Sequence, residues 1–314
     1  MEGDDLALFE RSLEHATSNH TGAALDAALD GLGWQEARSA DPRAAVSLLF
    51  ALQGAANVTS SALDQLLAHA LGHDQSVVLL PAIGQWSAPG ALAGSRLQVH
   101  GVGTSSFGAR DTCLIVARAR ESHVAFEVET ASLPQRRIEG IDSSLSLVAV
   151  TGEVVGGREV GPVDWRSAIA LGQLALGHEL VGASRRMLEL ARAHALERIQ
   201  FGQPIAKFQA IRHRLAETLV AIEAGDAMLE AAWLDQAPQA AAMAKAVAAR
   251  GARIAARHCQ QVLAGIGFTT EHALHRYVRR VLVLEQLLGG TRDLTRDLGR
   301  EILEHRQLPA LVPL

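Results

Sequence analysis

Arg198-Ile-Gln-Phe-Gly-Gln-Pro-Ile-Ala-Lys-Phe-Gln-Ala-Ile-Arg212 joins two long apolar-periodic segments of the chain. Upstream, Leu176, Leu180, Met187, Ala191 and Ala195 recur at spacings that keep one helical face apolar, and downstream Ile211, Leu215, Leu219 and Ile222 do the same. Between them Gly202 gives the backbone freedom at a corner and Pro204 stops the first helix from running on. The stretch predicts an αα-hairpin with an arginine and an aromatic ring at its bend. Periodicity alone asks for nothing beyond bundle packing.

Outward from this corner, the helical texture extends from about Asp164 to His305. Pro238 interrupts it before the run Ala240 to Leu263, Gly265 and Gly267 break that run, Leu274 to Leu288 forms the next helix, and the last begins near Thr291. Residues 5 to 72 also read as helices, with Asp41-Pro42 a helix start and Val46, Leu48, Leu49 and Leu52 a buried face. The middle differs. Val77 to Leu80, Arg96 to His100, Cys113 to Ala117, His123 to Val128 and Leu145 to Thr151 are short β-type runs separated by Gly, Ser, Pro and Asp clusters. The expectation is a mainly α chain with a β middle domain, a small barrel or open sheet: residues 1–75 helical, 76–160 strands, 161–314 a helical bundle.

The chain has 314 residues, 48% of them apolar, enough for a sizeable core. A net charge of −5 gives no basic field for nucleic acid or an anionic membrane. No apolar run reaches membrane-spanning length, the start Met-Glu-Gly-Asp-Asp is acidic, and there are two cysteines, Cys113 and Cys259. These features predict a cytoplasmic protein with reduced thiols. His178-Glu179 lacks a second histidine at metalloprotease spacing, and His258-Cys259 reads as core packing. Gly265-Ile-Gly267 follows a helix, so it is no dinucleotide fingerprint. Arg276, Arg279, Arg280 and Arg292 read as a solvated, salt-bridged face, and the four tryptophans as core or interface filling.

Arg198-x-x-Phe201-Gly202-x-Pro-Ile-x-x-Phe208-Gln209 resembles a signature of the acyl-CoA dehydrogenase family. Gln261-x-x-x-Gly265-x-Gly267-Phe268 and Gly290-Thr291 are similar to two further motifs in the same order, so the resemblance covers roughly residues 164 to 305. It implies a four-helix bundle in an FAD-binding oligomer. It further implies that Arg198, Phe201, Phe208, Gln209, Gln261, Gly265 and Thr291 bind the cofactor, the first corner and the Gln-x-x-x-Gly segment gripping the adenosine diphosphate half of a neighbour's FAD. An arginine fork suits pyrophosphate oxygens, and glycine admits close backbone approach. The N-terminal helical block is shorter than the family's. The flavin-covering loops are not visible either; the nearest stretches are Gln85 to Gly94 and Thr104-Ser-Ser-Phe-Gly108.

Family members dehydrogenate an acyl-CoA between Cα and Cβ, with a carboxylate taking the α-proton. The two positions that supply this base correspond here to Gly172 and to Gly289, or Leu288 with a one-residue shift. Neither holds an acid. Glu179 and Glu285 are the fallback candidates, displaced by one to two helical turns. With its own base missing and the across-the-interface motifs kept, the chain resembles the short, base-less subunits of heterotetrameric α2β2 acyl-CoA dehydrogenases of actinobacterial steroid catabolism. That resemblance implies an FAD-dependent complex with a full-length catalytic subunit as partner and a bulky acyl-CoA as substrate, with no nucleic acid or membrane partner. Two other readings stand beside it: a self-sufficient homo-oligomer with its base moved to Glu179 or Glu285, and a flavin-free scaffold.

Overall fold

The computed structural model describes residues 3–74, 76–94, 96–120, 122–154 and 157–306. Five helices come first: α1 (Gly3–Asn19), α2 (Ala23–Gly31), α3 (Trp34–Ala40), α4 (Pro42–Ala56) and α5 (Ala62–Ala70). Nine strands follow: β1 (Val77–Val78), β2 (Leu80–Pro81), β3 (Gly90–Ala93), β4 (Arg96–Gly103), β5 (Thr112–Ala119), β6 (Ser122–Glu129), β7 (Gln135–Arg137), β8 (Val148–Val154) and β9 (Arg158–Pro162). Then come α6 (Trp165–Glu197), a hairpin of β10 (Ile199–Gln200) and β11 (Gln203–Pro204), α7 (Gln209–Asp235), α8 (Pro238–Leu263), α9 (Leu274–Leu284) and α10 (Thr291–His305). A mainly helical chain around one β layer is the expected class.

Local chemistry sets the helix ends. Asp41 accepts a hydrogen bond from Ala44 N at 3.1 Å with Pro42 behind it, and Asp164 accepts from Ser167 N at 3.1 Å to start α6. The strands form one sheet in the order β7-β8-β4-β3-β5-β6-β9, with β1 parallel to β5 and β2 antiparallel to β4. It is an open sheet. Strands β3, β7 and β9 escape a reading by β-propensity because Gly-Ala-Leu-Ala, Gln-Arg-Arg and Arg-Glu-Val-Gly-Pro carry few β-branched residues. The run expected from Leu145 begins as a strand only at Val148, since Ser143–Leu145 is a 3-10 turn.

The predicted corner after α6 is a two-rung hairpin rather than a bare turn. Phe201 (φ +52°) and Gly202 (φ +76°) both take left-handed backbone there. Helix α9 stops at Leu284 instead of reaching Leu288, because Leu288 (φ +54°) and Gly289 (φ +105°) turn the chain away. Glycines set the distance between α4 and α6. A Cβ on Gly54 would stand 2.0 Å from Glu179 O, and one on Gly182 would stand 1.9 Å from Ala51 O, so the two backbones touch. The largest apolar core is continuous from Leu13 through Leu49, Leu67, Val116 and Leu180 to Leu288, linking the N-terminal helices, the sheet and the bundle. Among the described residues no helix is long and apolar enough to cross a membrane.

Candidate functional site

An open crevice of about 1240 Å³ lies between the sheet and the bundle. One wall comes from β3 and the β5–β6 hairpin, with Gly90, Arg118, Arg120 and His123. The other comes from the starts of α6 and α8 and from α10, with Trp165, Arg166, Gln239, Leu294 and Glu301. Burial and the Arg166 and Arg118 charges hold His123 below its ordinary value, which favours the neutral ring. Trp86 and Gln173 also line the crevice and connect it to the Leu288–Gly289 turn. Gln173 Nε2 donates to Leu288 O at 2.9 Å, and Trp165 Nε1 donates to Trp86 O at 3.2 Å.

The expected base positions meet at that turn, and apolar groups fill the space. A Cβ built on Gly172 would lie 2.6 Å from Leu288 Cδ1 and 3.1 Å from Leu67 Cδ2. One built on Gly289 would lie 2.7 Å from Leu294 Cδ2 and 3.0 Å from the Trp86 ring. The 2.6 and 2.7 Å separations are below any tolerated carbon–carbon contact, so a side chain at either position needs the Leu288 or Leu294 tip to move. Leu288 is 1% exposed. The turn is held from behind by Lys245 of α8, fully buried, whose Nζ donates to Glu285 O at 2.9 Å and to Gly289 O. Burial pushes the Lys245 amine down to about 7, with Glu285 pulling weakly the other way.

The fallback acids are engaged elsewhere. Glu179 is 3% exposed; its Oε1 accepts from Arg280 Nη1 at 2.9 Å and its Oε2 from Gln53 Nε2 at 3.3 Å. Burial pushes its carboxyl above the ordinary range and Arg280 opposes that shift. Arg280 also donates to Asp142 Oδ2 at 3.1 Å, Val58 O at 2.9 Å and Thr59 Oγ1 at 3.0 Å, so it clasps α6, the loop before β8 and the α4–α5 loop. That corrects the reading of Arg280 as part of a solvated face: it is fully buried, while Arg276, Arg279 and Arg292 are exposed. Glu285, 3% exposed, lies 3.2 Å from Arg253 Nη1. Neither glutamate lines the crevice among the described residues.

The stretches nearest to the flavin-covering motifs behave differently from each other. Trp86 and its neighbours line the crevice, but Thr104 and Ser106 turn into the protein, where both hydroxyls donate to Asp64 Oδ2 on α5, Ser106 at 2.7 Å. Asp64 is fully buried; burial pushes its carboxyl up to about 6, against those two hydrogen bonds, and its Oδ1 has no partner among the described residues.

The residues assigned to the cofactor separate into two places. Arg198, Phe201, Phe208 and Gln209 surround the β10–β11 hairpin, and Gln261 and Gly265 end α8 at the same pole of the bundle, where the charge of His194 is felt by His272. Arg198 and Gln261 are exposed, Phe201 is 91% exposed, and its ring meets Phe208 edge to face at 6.0 Å. A Cβ on Gly265 would meet nothing within 4 Å. A guanidinium fork, an open glycine backbone and a bare aromatic face fit a nucleotide diphosphate and its base. Thr291 lies elsewhere. It starts α10 beside the turn that Lys245 holds, and Gln261 is sixteen positions further along α8, about 24 Å at 1.5 Å per residue. Its Oγ1 is buried without a hydrogen-bond partner among the described residues, an orphan group that suits a ligand acceptor. Among the described residues no group of His, Cys, Asp and Glu could hold a metal ion. His258 is buried and bonds Thr218 Oγ1 at 3.0 Å, a core contact.

Residues 165–303 match the family model described as "Acyl-CoA dehydrogenase, C-terminal domain". The chain is 37% identical over 131 residues to acyl-CoA dehydrogenase IpdE2 of Mycobacterium tuberculosis, 42% of this chain and 41% of that protein, so the match spans about two-fifths of the relative's length. A variant of the Tcur3481–Tcur3483 steroid ACAD superposes with a TM-score of 0.82 at 22% identity, over 97% of this chain and 99% of that one. A chain of the ChsE4–ChsE5 complex from Mycobacterium tuberculosis does so with a TM-score of 0.73 at 20% identity, over 99% of both chains. At these identities the two solved structures speak for the fold. The family model thus likens residues 165–303 to an acyl-CoA dehydrogenase C-terminal domain, and the two solved structures extend a likeness of fold over the rest of the chain.

Proposed function

We propose that this chain is a companion subunit of an FAD-dependent acyl-CoA dehydrogenase, lending Arg198, Phe201, Phe208, Gln209, Gln261 and Gly265 to the cofactor of a full-length catalytic partner while doing no proton abstraction itself. One observation carries the reading: where the family's two base positions converge, Leu288 is packed against Gly172, and Trp86 and Leu294 against Gly289. No acid stands at either position, and apolar side chains press against both. The opposite pole of the bundle keeps an exposed arginine, an exposed aromatic ring and an open glycine. Two solved structures that share the fold are of paired chains, the Tcur3481–Tcur3483 steroid ACAD and the ChsE4–ChsE5 complex, which supports a hetero-oligomer acting on a bulky, steroid-derived acyl-CoA. A relocated base is disfavoured because the Glu179 and Glu285 side chains are both buried in ion pairs away from the crevice. The test is expression alone against co-expression with full-length acyl-CoA dehydrogenase chains from the same genome. Flavin-loaded material and acyl-CoA oxidation confined to a mixed complex are expected. Turnover by the isolated chain overturns the proposal, and a colourless chain that joins no partner leaves the scaffold reading.

A further inference from the structure

Helices α8 and α9 contain no aspartate or glutamate, in a chain whose formal net charge is −5. On α8, Arg250, Arg253 and Arg257 recur at spacings of three and four and all are exposed, with Gln261 continuing the same face. On the neighbouring α9, Arg276 and Arg279 are exposed. Among the described residues, Arg253 alone of these five is ion-paired, 3.2 Å from Glu285, and the pair ties the two helices together. Glu217 of α7, whose charge reaches His258 beside Arg257, borders the stripe on its other side. Beyond the end of α8 the stripe runs into the exposed Phe268, 71% accessible, and Ile266. Arginine and aromatic side chains together are the composition of interface centres rather than of ordinary surface.

The sign of this face restricts what can cover it. A two-fold contact between identical chains sets a patch against itself, so arginines would meet arginines. Like charges brought face to face oppose that contact, whereas a carboxylate-bearing surface draws to it and docks faster. We infer that the α8–α9 face is the surface through which this chain selects a different subunit over a second copy of itself, the partner presenting a carboxylate-rich face to it. This rests on the companion-subunit reading above and adds the chemistry that makes the assembly mixed.

The test combines Arg250→Glu, Arg257→Glu and Arg279→Glu, which leaves the Arg253–Glu285 pair intact. The variant is co-expressed with the full-length acyl-CoA dehydrogenase chain that the wild type assembles with, and association is measured by analytical ultracentrifugation. The wild-type complex is expected to weaken as sodium chloride rises from about 0.05 to about 0.5 M. At the lower salt the triple variant is expected to bind roughly a hundredfold more weakly. Hydrogen exchange in residues 250–264 should slow when the wild-type complex forms. If the glutamate variant does not fold, the Arg→Gln triple takes its place, with an expected loss of about tenfold. A complex whose affinity the reversal changes by less than about twofold, or whose formation leaves 250–264 unprotected, overturns this inference and spares the companion reading. A wild type that joins no full-length chain, or pairs with itself through this face, overturns both.

Discussion

Lys245→Met should reverse the sign of its effect on stability with pH. The amine is fully buried, and its two hydrogen bonds go to backbone oxygens of Glu285 and Gly289, so the neutral form with two N–H groups satisfies its surroundings. Its folded value lies near 7 against 10.5 unfolded, so between them the unfolded chain binds the extra proton and stability rises with pH. From about pH 7 to about pH 9.5 the wild type should gain about 3 kcal/mol from this group alone. Methionine fills a similar volume but leaves two buried carbonyls unmet, a loss of about 1–3 kcal/mol each. The variant should therefore be less stable than wild type at pH 9.5, and equal or more stable near pH 6.5, where the wild type must bury an ammonium or give up its proton. Urea unfolding of both proteins across this range, compared as a difference, isolates the group from other titrations. Parallel profiles would falsify the assignment of Lys245 as a neutral clasp on the Leu288–Gly289 turn.

Asp64 predicts the opposite limb. Its folded value near 6 exceeds the unfolded 3.8, so the folded chain holds the extra proton, and stability should fall by about 2 kcal/mol as pH rises from about 4 to about 7; Asp64→Asn should flatten that slope, and an unchanged slope sinks the account. Glu179→Gln leaves Asp142 as the remaining carboxylate on the buried Arg280 and should cost about 1–3 kcal/mol in a denaturant titration. In a still-folded mixed complex that variant, like Glu285→Gln, should leave turnover nearly intact, and a collapse on either change would reveal a relocated base. Arg198→Ala should lower FAD retention by the mixed complex by about 1.5–3 kcal/mol, read by flavin release on dilution, with unchanged retention counting against the corner.

Helix starts and the corner between α6 and α7 were legible because they depend on neighbours in sequence. Asp41-Pro42 caps α4 and Gly202 takes its positive φ whatever lies beyond them. Strands β3, β7 and β9 were hidden, since pairing rather than side-chain preference makes them extended. Arg280 and Lys245 were hidden for a related reason. A cation in a helix pattern looks solvated until the fold supplies Glu179 and Asp142 for one and the Glu285 and Gly289 carbonyls for the other. Lys245 did leave a trace, as the one charge in the apolar run from Pro238 to Ala249. The same division holds at the centre of the site. Sequence alone reveals that Gly172, Leu288 and Gly289 carry no carboxylate. That is a weaker fact than the structure's, because an empty position invites a substitute acid or a water to do the work. Leu288 seated on Gly172, and Leu294 and Trp86 against Gly289, put apolar side chains where such an acid would stand. An acid restored at position 172 or 289 would therefore meet the Leu288 or Leu294 tip first, so recovering chemistry in this chain requires those side chains to shift.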